Sequence, residues 1–283
     1  MHKLHLVALF AMSATVTSGC GTMAGSQLFG GSEPLSSHGL SIASEVPACL
    51  ERLENDAHRA SRELDSSRIR LVSWNIKKGQ LANWNEDLDT LATGQDLVLT
   101  QEAAWQSDSL PSMSHWAFAP GYRNGKLLSG VMTYSSSEPL TQCNLTSWEP
   151  WVRTPKATNI TEFGLTDTDE TVLVVNIHSI NFTFGVAAFR EQLEQIRPVL
   201  SAHQGPIIFS GDFNTWRKRR ADVLQTFADD FNLMPVDFAD DRRKVFLGQP
   251  LDHIYVRGLQ VGASQTQQLE SSDHNPLLAE FSL

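Results

Sequence analysis

Short apolar runs recur along residues 67–283 at strand-like spacing, and a few stretches carry the three- and four-residue repeat of helices. The pattern predicts strands over residues 69–75, 96–102, 130–134, 171–178, 206–212, 252–256 and 277–281. It predicts helices over 86–92, 186–202 and 217–231. Runs such as Val172-Leu173-Val174-Val175 are apolar at consecutive positions, which predicts strands buried on both faces. Such strands with helices between them imply sheets enclosed by helical layers. Upstream, Leu50, Leu53, Ala57 and Ala60 recur at helical spacing, and residues 47–66 are expected to form an amphipathic strap laid on the domain. Residues 20–46, rich in Gly and Ser and without periodicity, read as a flexible tether.

Residues 1–19 follow a different pattern. Lys3 leads into an apolar run over 4–16, and Thr17-Ser18-Gly19 then lead to Cys20, the layout of a secretory signal. The run is too short to span a bilayer, which takes about 20 apolar residues. Small residues before a cysteine also suit a bacterial lipid-attachment signal, with a diacylglyceryl group on Cys20 and a periplasmic, membrane-anchored product. Thr17 stands where leucine is usual in such signals, and the alternative is an ordinary cleaved signal with Cys20 incidental. Cys49 and Cys143 are the other cysteines. In an oxidising compartment they form either a disulfide or two free buried thiols.

Composition narrows the classes. With 283 residues, 41% hydrophobic and 19% charged, the chain can bury one large core and is not a disordered protein. A net charge of −10 argues against general affinity for nucleic acid but leaves room for a local basic patch and a bound cation. Neither a phosphate-binding P-loop nor a dinucleotide-binding glycine pattern is present.

Polar residues suited to chemistry fall at the carboxyl ends of the expected strands, where ligands bind in α/β sheets. Ser73 and Asn75 share one face of the first strand, and Glu102 closes the second, where a hard cation would use its carboxylate. Asn176 and His178 share a face of the strand over 171–178. In Gly211-Asp212-Phe213-Asn214, glycine permits a tight backbone path, the acid accepts a proton or orients water, and the amide donates to a phosphoryl oxygen. Two Asp-His pairs follow, Asp252-His253 and Asp273-His274, and an acid bonded to a histidine fixes its tautomer and raises its basicity. Each segment alone is equally well a turn or a strand end.

In this order the six segments resemble the endonuclease/exonuclease/phosphatase superfamily, which includes DNase I-like nucleases, abasic-site endonucleases, inositol-phosphate phosphatases and neutral sphingomyelinases. The resemblance spans residues 70–281. It is closest to a bacterial YafD-like branch marked by Asn176-Ile177-His178, then Asn181-Phe182, then the Gly211–Asn214 segment. It implies an α/β fold in four layers, an αββα sandwich of two packed mixed β-sheets flanked by helices. It also implies a divalent cation, Mg²⁺ or Mn²⁺, near Asn75 and Glu102, with Glu102 the direct ligand and Asp273 a second contact. By the same resemblance, Asp212 positions or deprotonates the attacking water and Asn214 binds a phosphoryl oxygen. His178 and His274 contact the phosphate, and Asp252 orients His274. The base is left open between the buried Asp and the His–Asp pair.

The expected reaction is metal-dependent hydrolysis of a phosphodiester, with nucleic acid the first substrate class. Arg217, Lys218, Arg219 and Arg220 follow the Gly-Asp-Phe-Asn segment. With Thr215 as helix cap, positive charge in the first turn would oppose the helix dipole unless a polyanion bound there. The bland alternative is a solvated face balanced by Asp222, Asp229 and Asp230. Trp148 and Trp151 are expected mainly as buried residues, otherwise as groups that stack on bases or enter a lipid interface. Two further classes stay open: a phospholipase C-like hydrolase of lipid head groups, and a non-catalytic binding relic.

Overall fold

The structure is a computed structural model that describes residues 36–37, 42–55, 62–105, 113–125 and 127–283. The signal expected over residues 1–19 and the lipid attachment expected at Cys20 lie outside the described residues.

Two six-stranded sheets pack face to face. The first runs β13 (Gln260–Thr266), β14 (Leu277–Ser282), β1 (Ile69–Asn75), β2 (Leu97–Ala104), β4 (Leu127–Ser135), β3 (His115–Asn124). The second runs β5 (Thr141–Trp148), β6 (Pro155–Gly164), β7 (Thr171–His178), β8 (Ile207–Asp212), β12 (Asp252–Arg257), β9 (Met234–Pro235). The pairs β1–β2 and β7–β8 are parallel and their other partners antiparallel, so both sheets are mixed. A hairpin of β10 (Val245–Phe246) and β11 (Gln249–Pro250) stands apart.

Strand alternation distributes the apolar residues among three cores. Leu71, Leu97, Leu99, Val172, Val174, Ile208 and Ile254 fill the space between the sheets. Val72, Trp74 and Val98 point outward and pack on Leu88 and Leu91 of α2 (Trp84–Ala92). Leu173, Val175, Ile207 and Phe209 point the other way, onto α1 (Val46–Asn55), α3 (Ala187–Ala202) and α4 (Lys218–Asp230). The result is the expected four-layer αββα sandwich.

Three expectations are corrected. The strap helix is described only over Val46–Asn55, and Leu64 is already extended, in a β-bridge with Leu165. The tether is not wholly free of the domain, because Ser36 bridges Ala117 and Ala43 bridges Cys143. Thr215 does not cap α4: its hydroxyl donates to the Pro250 carbonyl, and Arg217 occupies the cap position without a side-chain bond. Cys49 and Cys143 are free, buried thiols in one core.

Candidate active site

The layer between the sheets changes character toward one end. Along the inward face, Ile69 and Leu71 give way to Ser73 and Asn75, and Leu97 and Leu99 give way to Gln101. Val172 and Val174 give way likewise to Asn176 and His178, and Ile208 to Ser210 and Asp212. Buried polar groups need partners, and several here find them across the sheets, although Gln101 Oε1 is left without one. Gln101 Nε2 donates to Asn176 Oδ1 at 2.8 Å, and Asn176 Nδ2 donates to the Met132 carbonyl at 3.0 Å. These bonds form a rigid polar floor beneath the site.

Asp212 stands at the centre. Asn75 Nδ2 donates to its Oδ2 at 2.9 Å, and the Asn214 backbone N–H donates to its Oδ1 at 2.9 Å. His178 Nε2 lies 3.7 Å from Asp212 Oδ2 and 3.8 Å from Glu102 Oε1. One oxygen or nitrogen each of Asp212, Asp252 and His274 lie within 4.8 Å of one another, and His274 Nδ1 meets Asp252 Oδ2 at 2.7 Å. Asn75, Glu102, His178, Asp212, Asn214, Asp252 and His274 are thus brought into one cleft. Asp273 is half-exposed at its mouth, 3.8 Å from Lys77 Nζ.

The backbone is bent to make this possible. Glu102 is the extra residue of a β-bulge against β4 and sits at φ 49°; Asn214 sits at φ 50°. Left-handed φ costs a non-glycine residue about 1–2 kcal/mol and aims the side chain where a regular strand would not. Gly211, at φ 148°, is required by a close approach: a Cβ there would lie 2.0 Å from the Ile177 carbonyl oxygen.

Electrostatics divide the groups. Burial pushes the Glu102 carboxyl up, but His178, Lys78 and Lys156 more than offset it and hold it at about 2. Burial and the Lys156 cation lower His178 to about 4, leaving a neutral imidazole near pH 7. Burial disfavours the His274 cation, yet Asp252, Asp212 and Asp273 overcome this and raise it to about 10. Burial also raises Asp212 above the usual carboxylate range, against the pull of His274.

Sequence reasoning missed three groups here. Lys156, buried in β6, places Nζ 2.9 Å from His178 Nε2. An ammonium only donates, so Nε2 accepts. Lys77 and Lys78 share one short 3₁₀ turn (Lys77–Gly79), and Lys78 bonds the Glu102 carboxylate. Glu149, buried beside Lys156, accepts the Asn181 and Phe182 N–H groups at 2.8 and 3.1 Å. A lone lysine in the otherwise uncharged stretch 154–161 was the one available signal.

The four-cation cluster is corrected. Arg220 is buried: its Nε donates to the Asn214 carbonyl at 2.7 Å, its Nη2 bonds the Ile180 carbonyl, and its guanidinium lies 4.2 Å over the Phe189 ring. It buttresses the loops that carry Asn214 and cannot also reach substrate. Lys218 pairs with Asp222, Arg219 faces a groove between α3 and α4, and Arg217 stacks on Trp216. Trp148 and Trp151, expected mainly as buried, are exposed.

A divalent cation suits one part of this cleft better than the other. Asp212, Asp252 and His274 bring ligand atoms close enough to hold a cation, but both Asp212 oxygens already accept protein donors and Asp252 Oδ2 is held by His274. Glu102 bonds Lys78 and Asp273 lies 3.8 Å from Lys77, so each carboxylate draws a cation from the same short turn. Carboxylate oxygens of this kind suit a hard cation.

Comparison with known proteins bears on this geometry. The model of the Endonuclease/Exonuclease/phosphatase family matches residues 72–274. A UPF0294 protein of Vibrio vulnificus (strain YJ016) is 35% identical over 225 residues, covering 76% of this chain and 78% of its own length. One from Vibrio campbellii is 37% identical over 225 residues, with 76% and 78% covered. These relatives are the YafD-like proteins the sequence resembles. An endonuclease/exonuclease/phosphatase from Bacteroides vulgatus superposes with a TM-score of 0.58 at 19% identity, over 77% of this chain and 99% of that one. The human nocturnin catalytic domain with bound sulfate gives 0.57 at 16%, over 78% and 96%. Sphingomyelinase C from Streptomyces griseocarneus gives 0.52 at 15%, over 76% and 99%. At these identities the solved structures share the fold.

Proposed function

Because the chain belongs to the endonuclease/exonuclease/phosphatase family, whose members hydrolyse phosphoester bonds and typically use a divalent metal, we propose that it is a metal-dependent phosphodiesterase. The observation that carries this reading is the pair of carboxylates that His178 Nε2 faces: Glu102 at 3.8 Å, held ionised, and Asp212 at 3.7 Å, raised by burial. One is suited to a cation and the other to accepting a proton, the division of labour that acid–base chemistry at a phosphate requires.

Glu102, with Asn75 and Asp273, would hold Mg²⁺ or Mn²⁺, which supplies Lewis-acid neutralisation of the phosphate charge. The remaining roles belong to the chain. Asp212 takes a proton from water as the water oxygen joins phosphorus and one ester bond breaks. His274, an imidazolium locked by Asp252, donates to a phosphoryl oxygen and returns a proton to the leaving oxygen. Asn214 and Lys156, the latter oriented by His178, stabilise the other phosphoryl oxygens. A base at His274 is disfavoured, because a group raised to about 10 is already protonated near pH 7.

The substrate class is a second question. Burial of Arg220 and pairing of Lys218 weaken the case for a phosphate-tracking groove at residues 217–220, which supports the lipid head-group reading over the nucleic-acid one. Purified protein given Mg²⁺ should hydrolyse a chromogenic phosphodiester faster than the matching monoester. Chelator, or Glu102→Gln, should abolish turnover. Full activity of Glu102→Gln in chelator would remove the metal from the account, and preference for the monoester would remove the diester.

A further inference from the structure

Most large apolar side chains here are buried, but two groups of exposed ones stand at the cleft end of the sandwich. The first lies on the loops after β5 and β7: Trp151, Val152, Phe182 and Phe184 are each more than half exposed. These loops are held together. The Trp151 and Phe184 rings lie 4.3 Å apart, and the buried Glu149 carboxylate of one loop accepts two backbone N–H groups of the other. The second group is the β10–β11 hairpin, where Val245, Phe246 and Leu247 are also more than half exposed. Phe246 leans on Trp216, with ring centroids 6.5 Å apart.

Topology sets the cleft between them. His178 closes β7 and Lys156 is the second residue of β6, so the first pair of loops lies just beyond them. Asp212 closes β8 just before Trp216, and the hairpin runs directly into Asp252 at the start of β12. Val152 and Phe182 also line the cleft of about 360 Å³ that holds Glu102, Lys156 and His178, so one apolar surface is continuous with the site. An exposed patch of this kind on a rigid platform marks an interaction surface.

We propose that this end of the domain docks on a lipid bilayer, the two apolar loops entering it on either side of the cleft and delivering a phospholipid head group to Asp212 and Glu102. The substrate clause rests on the phosphodiesterase reading; the docking does not. Three features select a bilayer as occupant. Val152, Val245 and Leu247 are alkyl groups, which have no face to stack on a nucleobase but partition into acyl chains. The exposed Arg153 and Arg217 stand among the apolar tips, Arg217 stacked 4.4 Å over Trp216, and cations at that level meet lipid phosphates. The groups straddle the cleft, so a protein bound to both would seal it, whereas a membrane presents substrate through the gap. In the reaction, water adds to phosphorus, one ester bond breaks, and an alcohol and a phosphomonoester result.

The test uses the whole chain with vesicles of phosphatidylethanolamine and phosphatidylglycerol carrying brominated acyl chains. Quenching of tryptophan emission reads entry of the rim itself, whatever is attached at residue 20. Wild type should be quenched. Phe246→Ser with Leu247→Ser, which alters no tryptophan, should weaken quenching and vesicle-lipid hydrolysis by about tenfold or more, while soluble diester turnover stays within about twofold. Unquenched emission with soluble turnover intact would overturn the docking. Quenching by single-stranded DNA in place of vesicles would overturn it in favour of base stacking. Quenching without turnover on any diester would leave the docking standing and remove the phosphodiesterase reading.

Discussion

At the residue scale the site is a set of opposed titrations held in one cleft. His274 is cationic because Asp252 sits 2.7 Å away in a buried place where the imidazole would otherwise be neutral. Asp252→Asn removes the attraction and leaves the burial, so the ring should lose its proton near neutral pH. An NMR titration should find it moved down from about 10, with the alkaline limb of the pH–rate profile moved the same way; an unmoved ring would separate Asp252 from the role given to it. The Asp252–His274 pairing came from resemblance, since residues so far apart in sequence announce nothing by spacing. The bulge that turns Glu102 inward could not be read, because it depends on the register of β2 against β4. Lys156 escaped because a single lysine in an uncharged stretch says nothing of the histidine it will face.

Elements whose sequence alternates or runs apolar were legible, and they are the ones that end in the site. β1, β7 and β8 were expected within one residue of their observed bounds. β5 and β6 were not seen: β6 is buried along its whole length yet carries Lys156, Thr158, Asn159, Thr161 and Glu162. Some of its polar groups find partners on neighbouring strands, as where Asn159 Nδ2 donates to Asn144 Oδ1 at 2.8 Å, and hydrophobic periodicity cannot register such a strand. α4 illustrates the converse error, in which a basic run looked uniform but faces two ways. Arg220→Met should cost about 2–4 kcal/mol by stranding the Asn214 and Ile180 carbonyls. Arg217→Gln should stay within about 0.5 kcal/mol. Equal costs in chemical denaturation would contradict the buttressing role of Arg220.

At the scale of the molecule, the fold buries ionisable groups both in the site and away from it, as at His203 and Glu162, and stability should record that. His178 is lowered to about 4 and His253 to about 3, both by burial and a neighbouring cation, from an ordinary value of 6.5. Below pH 6.5 the unfolded chain binds protons that these folded histidines refuse, so stability should fall as pH drops from 6.5 toward 4. His274 has the opposite sign: its contribution is complete below pH 6.5 and is lost as pH rises toward about 10. Denaturant midpoints of the metal-free protein should therefore drop between pH 7 and pH 4, less steeply in His253→Gln; a flat profile would mean these histidines are not buried as neutral rings.

Asp212 is the proposed proton acceptor of a phosphodiester hydrolase, and the most direct test of that role is the turnover of a soluble chromogenic diester by Asp212→Asn in saturating Mg²⁺. The amide keeps the size of the side chain and its oxygen still accepts one neighbouring donor, so the fold should persist while the rate falls by about two to four orders of magnitude. Wild-type turnover by Asp212→Asn would contradict the central claim.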